Sequence, residues 1–500
     1  MSEPEKIIVE TKSGKVRGYS SRGIKIFKGI PYVEPPIGNL RFKPPVPIEP
    51  WDNIRDATEF SPIVPQVSSP MDRIRGSFPQ SEEDSLTLNI FTQSTNDEKR
   101  PVLFFIHGGA FSIGGARNFD GSHFVLRGNV VFVSINYRVG PFGFLFIPEG
   151  PNATANAGLL DTIAGLKWVQ DNISVFGGDP ENITVFGVSA GAYLIACLFA
   201  MPSSKGLFKR AILESGAPHK FTFQPSNGIK AYEKLMKKLG LENGDIESLR
   251  KLPYESIIKG LDDFQLVRRL GSERFLPMID KNSMPQHPLE AIKNGATKDI
   301  DLFIGTNLDE TKMWSAFAPD ASLGEEGLLK KVNNLMQKIN QDEKKSKEII
   351  EIYRKSRKNP NDIFDAINTD YSFRIPSIRL AEEHSKYQKN TYMYLFTWQN
   401  PIGGGKYGAH HGLEGLFVFD MFPSQNRGMF PAKTEESLEL SEKMINAWIA
   451  FARSGNPNHK NIPEIPPYDE EKRATIIFDK EVKIVYDPYE NERAAWEEIL

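Results

Sequence analysis

The chain has 500 residues, of which 61 are Lys or Arg and 64 are Asp or Glu, giving a formal net charge of -3 at pH 7. That balance excludes the broad basic field that draws phosphate backbones or anionic lipid, so neither nucleic acid nor a membrane surface is the expected partner. With 40% hydrophobic and 25% charged residues the composition is that of a globular protein; the length invites two or more domains, but α/β enzymes also build one extended sheet with large insertions.

At the N-terminus, Met1 to Glu10 mixes Glu and Lys and lacks the apolar run of a signal peptide, so secretion is not expected. Pro101 to Ile106 and Val130 to Ile135 are short, continuous Val, Ile and Phe runs, as central parallel strands are. Leu159 to Asn172 gathers Leu160, Ile163, Ala164 and Leu166 to Trp168 on one face of a predicted helix, and Ile183 to Phe186 follows as a third strand. Strand, helix, strand predicts an α/β fold. Tyr193 to Met201 is too short to cross a bilayer and reads as a buried helix, with Cys197, the one cysteine, as a small buried hydrophobe in it. Further strands are expected at Arg210 to Glu214, Leu302 to Gly305 and Thr391 to Phe396. The charge-rich stretches between them, Lys230 to Leu261 and Glu325 to Lys358, have helical spacing and read as solvated faces.

Three places carry chemistry. Gly187-Val188-Ser189-Ala190-Gly191 is a Gly-x-Ser-x-Gly pattern directly after a strand and directly before a helix, the setting in which a strained turn pushes a serine hydroxyl into the open. His107-Gly108-Gly109-Ala110 follows another strand, and the N–H groups of Gly108 and Gly109 with that of Ala190 are the expected oxyanion hole. A serine hydroxyl needs a histidine base, oriented in turn by a carboxylate. His411 stands in a glycine-bounded loop after the strand at Thr391 to Phe396, with His410 as its close rival, whereas His219, His287, His384 and His459 are expected in polar, exposed surroundings. Asp309 and Glu310 both follow the strand at Leu302 to Gly305, at the carboxyl end where ligand sites of open α/β sheets gather. The chain order serine, acid, histidine is that of α/β-hydrolases.

The sequence resembles the type-B carboxylesterase and cholinesterase family over essentially its whole length. The resemblance is carried by Gly29-Ile30-Pro31-Tyr32 with Pro35-Pro36 and Leu40-Arg41-Phe42, by Glu83 to Asn89, by Asn156 to Ala192, and by Trp448 to Asn458. It implies an α/β-hydrolase fold: a large central, mostly parallel sheet flanked by helices, one domain over residues 1–500, with helical insertions near 217–300 and 315–390. It implies Ser189 as nucleophile, His411 as base and Glu310 as acid, with Glu310 preferred to Asp309 because the family's Asp-Glu-Gly carries the acid second; here Thr311 replaces that glycine. It also implies structural ion pairs of Arg41 with Glu83 and Arg138 with Asp161, and a supporting place for Ser215 and Glu414 behind the base. Two departures matter. Ser85 stands where the family has a cysteine, which fits a reducing, cytoplasmic compartment, and Val188 replaces the glutamate usually found before the nucleophile.

The expected activity is therefore serine carboxylesterase action on small-molecule carboxylic esters, through a Ser-His-Glu triad and an acyl-enzyme. Phe111, Phe142 and Phe144 are expected to wall a site for short to medium acyl chains. The segment Val67 to Glu82 contains no Trp for cation recognition, which counts against a choline esterase. The alternatives are a lipase on aggregated substrate, which needs a large apolar lid, and a non-catalytic adhesion or scaffold protein, which would usually have lost the serine. No cofactor is expected and no metal, since His-Glu-x-x-His and paired-cysteine motifs are missing. A monomer or small homo-oligomer is expected.

Overall fold

A computed structural model describes residues 5–68, 77–148, 154–219, 223–261, 275–317 and 322–499. Residues 69–76 of the segment Val67 to Glu82, and 220–222, 262–274 and 318–321 of the two expected insertions, lie outside the described residues. The chain divides into two compact units, the first made of the described residues of Met1–Ile212, Lys220–Ile300 and Ala452–Ser454, the second of those of Leu213–His219, Asp301–Phe451 and Gly455–Leu500.

In the first unit β1 (Lys6–Thr11), β2 (Gly14–Ser21) and β3 (Ile24–Pro31) form an antiparallel meander, with the two-residue β4 (Arg55–Asp56) parallel to β2. β5 (Thr87–Thr92) continues it antiparallel to β3 and to β7 (Val131–Ile135). β6 (Arg100–Ile106) then lies parallel to β7 on one side and to β8 (Gly178–Val188) on the other. The burial pattern follows this geometry. β1 alternates exposed with buried positions, whereas Val102 to Ile106 are wholly inaccessible, as a parallel strand covered on both faces must be. Helix α1 (Ala157–Asn172) buries Leu159, Ile163, Leu166 and Trp168, and α2 (Ala190–Leu198) is buried along nearly its whole length. The lysine-rich α3 (Pro225–Lys238) buries only Gly228, Ala231, Tyr232, Leu235 and Met236, so its charges face solvent as expected.

The Arg138 guanidinium is buried and bidentate to Asp161, at 2.6 and 2.8 Å, as the resemblance implies. The other expected ion pair is corrected by one residue: Arg41 pairs with Glu82, not Glu83. The cause is local. Ser81 Oγ accepts the N–H groups of Glu83 and Asp84, a turn that leaves Glu83 exposed and Glu82 half-buried.

The second unit holds β10 (Asp301–Asn307), β11 (Thr391–Phe396) and β12 (Ala474–Phe478), all parallel and all buried, closed by the antiparallel β13 (Lys483–Tyr486). The last strand reached before this unit, β9 (Arg210–Glu214), ends inside it, and the N–H of Ser215 donates to Gly305 O at 2.8 Å. Between β10 and β11 the described chain is helical: α4 (Glu325–Gln337), α5 (Glu343–Arg354), α6 (Pro360–Thr369) and α7 (Ile375–Ser385), with a π-helical turn at Asp370–Arg374 joining the last two. After β11 come the short α8 (Glu414–Val418) and the long α9 (Glu435–Ser454). α9 begins at a reciprocal cap, in which Thr434 Oγ1 accepts the Ser437 N–H and Ser437 Oγ accepts the Thr434 N–H, and it ends at Gly455 with φ 76°.

Candidate active site

In the first unit, β8 runs straight into a turn at Ser189, whose backbone sits at φ 56°, ψ −122°, and α2 begins at the next residue. Such a conformation is costly for any residue with a Cβ and persists only where its surroundings enforce it. They do so through two glycines. A Cβ on Gly187 would lie 2.7 Å from Ile106 O, and one on Gly191 only 2.0 Å from the same oxygen. Strand and helix therefore approach β6 closely enough to hold Ser189 half-buried at the point of the turn. Ala190 occupies the first turn of α2, where backbone N–H groups have no acceptor within the helix. Cys197, further along α2, is fully buried, and burial pushes its thiol well above the usual range, so it is inert.

The loop after β6 packs against this turn. A Cβ on Gly108 would lie 2.7 Å from Val188 O and 3.1 Å from Ser189 Cβ, and one on Gly109, at φ +124°, would collide with Ile113 O. Only glycine at 108 lets the loop backbone come this near the serine. His107 braces the loop: its ring stacks on Tyr137 at 4.4 Å, its Nδ1–H donates to Gly108 O at 2.8 Å, and the Tyr137 hydroxyl donates to His107 O at 2.7 Å. Burial drives the His107 imidazole down to about 4, so it stays neutral. Gln66 ties the far side of the loop to Gly114, giving and receiving a hydrogen bond.

The phenylalanines expected to wall a site behave differently. Phe142 stacks on Phe42 at 6.0 Å and Phe144 meets Phe111 edge-on at 5.6 Å, and all three expected residues are buried. Phe142 and Phe144 pack the core.

In the second unit the end of β10 and the loop after β11 are stitched together. The N–H of Asp309 donates to Ala409 O at 3.0 Å and that of His411 to Glu310 O at 3.2 Å. Glu310 is fully buried; its Oε1 accepts the Asn307 N–H at 2.8 Å and its Oε2 accepts His411 Nδ1–H at 2.6 Å. Asp309 is turned to a different purpose, because its Oδ2 accepts the Ala409 N–H at 2.9 Å and lies where a Cβ on Gly408, at φ +58°, would be. The aspartate fixes the loop and the glutamate fixes the imidazole. Burial opposes charging His411, but Glu310, helped by Glu414, holds its pKa above the ordinary imidazole value. The ring is flanked by Phe373, from the π-helical turn, at 4.9 Å and by Trp314 at 5.3 Å.

His410 is held as a neutral ring. Its Nδ1–H donates to His411 O at 3.0 Å, its Nε2 accepts from Asn400 Nδ2 at 3.2 Å, and burial lowers it to about 4. Two other histidines correct expectation: His384 is fully buried with Nδ1 2.7 Å from Thr391 Oγ1, and His287 is buried as the cap of Pro288–Lys293. An imidazole places apolar ring and polar nitrogen at once, so a polar sequence neighbourhood does not set its exposure.

Behind His411, Glu414 Oε1 accepts the Ser215 hydroxyl at 3.2 Å and Oε2 accepts Asn307 Nδ2, which also donates to His410 O at 2.8 Å. Burial, reinforced by the Glu310 charge, raises Glu414 to about 7. Asn307, Trp314, Phe373 and Tyr137 were not singled out in the sequence. Asn307 alone left a signal there, as a polar residue closing an apolar strand. Among the described residues no group of three His, Cys, Asp or Glu could hold a metal ion, and no helix is long and apolar enough to cross a membrane.

Comparison with known proteins agrees with this local chemistry. The family described as the carboxylesterase family matches residues 5–496. The chain is 37% identical over 492 residues to a para-nitrobenzyl esterase of Bacillus subtilis, covering 97% of each, and 32% identical over 488 residues to a phenmedipham hydrolase of Pseudarthrobacter oxydans, covering 95% of each. Among solved structures, a carboxylesterase of Geobacillus stearothermophilus superposes with a TM-score of 0.87 at 34% identity, covering 98% of this chain and 99% of that one.

Proposed function

The chain belongs to the carboxylesterase family, with its α/β-hydrolase fold and its hydrolysis of carboxylic esters by a serine nucleophile, and on that premise we propose that Ser189, His411 and Glu310 form the catalytic triad. Gly108, Gly109 and Ala190 supply the oxyanion hole, and Ser215 and Glu414 support the base. The observation that carries this reading is the backbone of Ser189, the one member of the pattern Gly-x-Ser-x-Gly held at φ 56° between a strand and a helix that two glycines force against β6.

The hydrogen bond from Nδ1 to Glu310 fixes the His411 tautomer, leaving Nε2 as the nitrogen that accepts a proton. In this mechanism His411 takes the Ser189 proton as Oγ attacks the ester carbonyl, the oxygen gains charge against the three N–H groups, and the imidazolium returns its proton to the leaving alcohol. Water then repeats the sequence on the acyl-enzyme and releases the acid. Glu310 offsets the imidazolium charge as it forms.

The substrates in this reading are uncharged esters of short to medium acyl chains, hydrolysed without cofactor in the cytoplasm by a single domain acting as a monomer or small homo-oligomer. The lone cysteine and Ser85 support a reducing compartment. The test is hydrolysis of p-nitrophenyl acetate, butyrate, octanoate and palmitate, together with a p-nitrobenzyl ester suggested by the Bacillus relative, by the protein and by Ser189→Ala. A loss of at least about 10³ in kcat for the variant, with an optimum at butyrate or octanoate, is expected. Retained activity in Ser189→Ala sinks the nucleophile assignment, and an optimum at palmitate turns the reading to a lipase.

A further inference from the structure

Glu214 closes β9 immediately before Ser215 and is fully buried. Its Oε1 accepts the indole N–H of Trp448, from α9, at 2.6 Å, while its Oε2 has no partner among the described residues. Two more polar atoms are buried without partners on the neighbouring strands, Asn307 Oδ1 on β10 and the Tyr394 hydroxyl on β11. The three side chains share one face of the sheet. Gly305 pairs with Tyr394 in register, the Tyr394 ring lies where a Gly305 Cβ would be, and that ring packs on Trp448 at 5.4 Å, the same indole that reaches Glu214. Asn307, two residues beyond Gly305, lies on the same side of β10.

The charge that acts on Glu214 is that of Glu414, at the start of α8; Glu414 in turn faces Glu310, after β10, and His411, and the Tyr394 hydroxyl on β11 faces all three carboxylates. None of these is a lysine or arginine. Glu310 already pairs with His411, and the two further buried carboxylates, Glu414 and Glu214, cannot both ionise cheaply beside it. Glu414 has the better anionic site, with donors from Ser215 and Asn307 against the single indole N–H on Glu214.

We propose that Glu214 and Glu414 share a single negative charge, Glu214 holding the proton and Glu414 the charge beside His411, so that Glu214 is a positioning residue setting how much charge the imidazolium feels. The direction of the Glu214 titration agrees: burial, with the charge of Glu414, raises it to about 8. Above that pH a second charge forms, and the imidazolium of the transition state is stabilised further. The proposal rests on His411 as base, as read above, but its first test does not.

That test is thermal unfolding of the parent and Glu214→Gln from pH 5 to 9. Gln copies the neutral acid and still accepts from Trp448. A group whose folded pKa is raised loses stability as pH climbs from its unfolded value of 4.5 to its folded value of about 8. The melting temperature of Glu214→Gln is therefore expected to gain on the parent across that window and level off above it. A difference that stays constant with pH overturns the shared charge, whether or not the enzyme assignment is right. The second readout is the pH profile of kcat/KM on p-nitrophenyl butyrate. Glu414→Gln is expected to move the acid limb to lower pH and cut kcat about tenfold. Glu214→Gln is expected to leave that limb in place and to remove a rise near pH 8 that the parent shows. An acid limb displaced by Glu214→Gln as far as by Glu414→Gln overturns the assignment of the charge to Glu414.

Discussion

A methyl group at Gly108 would press on the Val188 carbonyl at 2.7 Å and on Ser189 Cβ at 3.1 Å, both parts of the strained turn. Gly108→Ala is therefore expected to displace the loop by a few tenths of an ångström and to weaken the oxyanion contact, lowering kcat by about 10² with KM little changed. Steady-state kinetics beside a circular dichroism spectrum of the folded variant checks this; a variant as active as the parent removes Gly108 from the oxyanion hole. At the same scale Ser85 is buried with a hydroxyl that has no partner among the described residues, while its carbonyl accepts from Asn136 Nδ2 at 3.0 Å.

The elements that carry the site are set by features of very different legibility. Thr434 and Ser437 exchange hydrogen bonds at the head of α9, the helix that brings Trp448 to Glu214. Thr434→Ala removes one half of that cap and is expected to lower stability by about 1 kcal/mol, measurable as a fall in the urea midpoint at constant slope. The strands β6, β7, β10 and β11 were readable within about two residues, because strands buried on both faces must be apolar throughout, whereas β8 begins at Gly178, five residues before the apolar run that marked it. Ser189, its glycines and the loop at His107 were readable because their backbone conformations admit so few residues. What stayed illegible depends on which way a side chain turns. Glu82 rather than Glu83 meets Arg41 because Ser81 nucleates a turn, and His384 is buried although its sequence neighbours are polar. Phe142 and Phe144 went to the core, and Trp314 and Phe373 reach His411 from segments whose sequence announces only helix.

Across the whole molecule, buried titrating groups set a pH dependence that the net charge of -3 conceals. Burial raises Asp365 to about 6, Glu414 to about 7 and Glu214 to about 8, and lowers His107 and His410 to about 4. Each raised carboxyl keeps a proton in the folded state that the unfolded chain has already released, so its stabilisation fades as pH rises toward the folded value. The two neutral histidines act oppositely, but only below about 6.5, where the unfolded imidazoles take up protons. Between pH 6 and 8 the carboxyls prevail. Stability is expected to fall by about 3 kcal/mol over that interval, seen as a declining melting temperature in calorimetry; a flat or rising trend contradicts the assigned burial of these groups.

The turn at Ser189 has a consequence for ancestry. The crowding that defines it belongs to Gly187 and Gly191, while the serine contributes a hydroxyl and bears an unfavourable φ for the sake of it. With Ser189 as the proposed nucleophile, a lineage can thus silence its chemistry by a single codon change at 189 and keep the architecture, even relaxing it, whereas the same drift at 187 or 191 forfeits both.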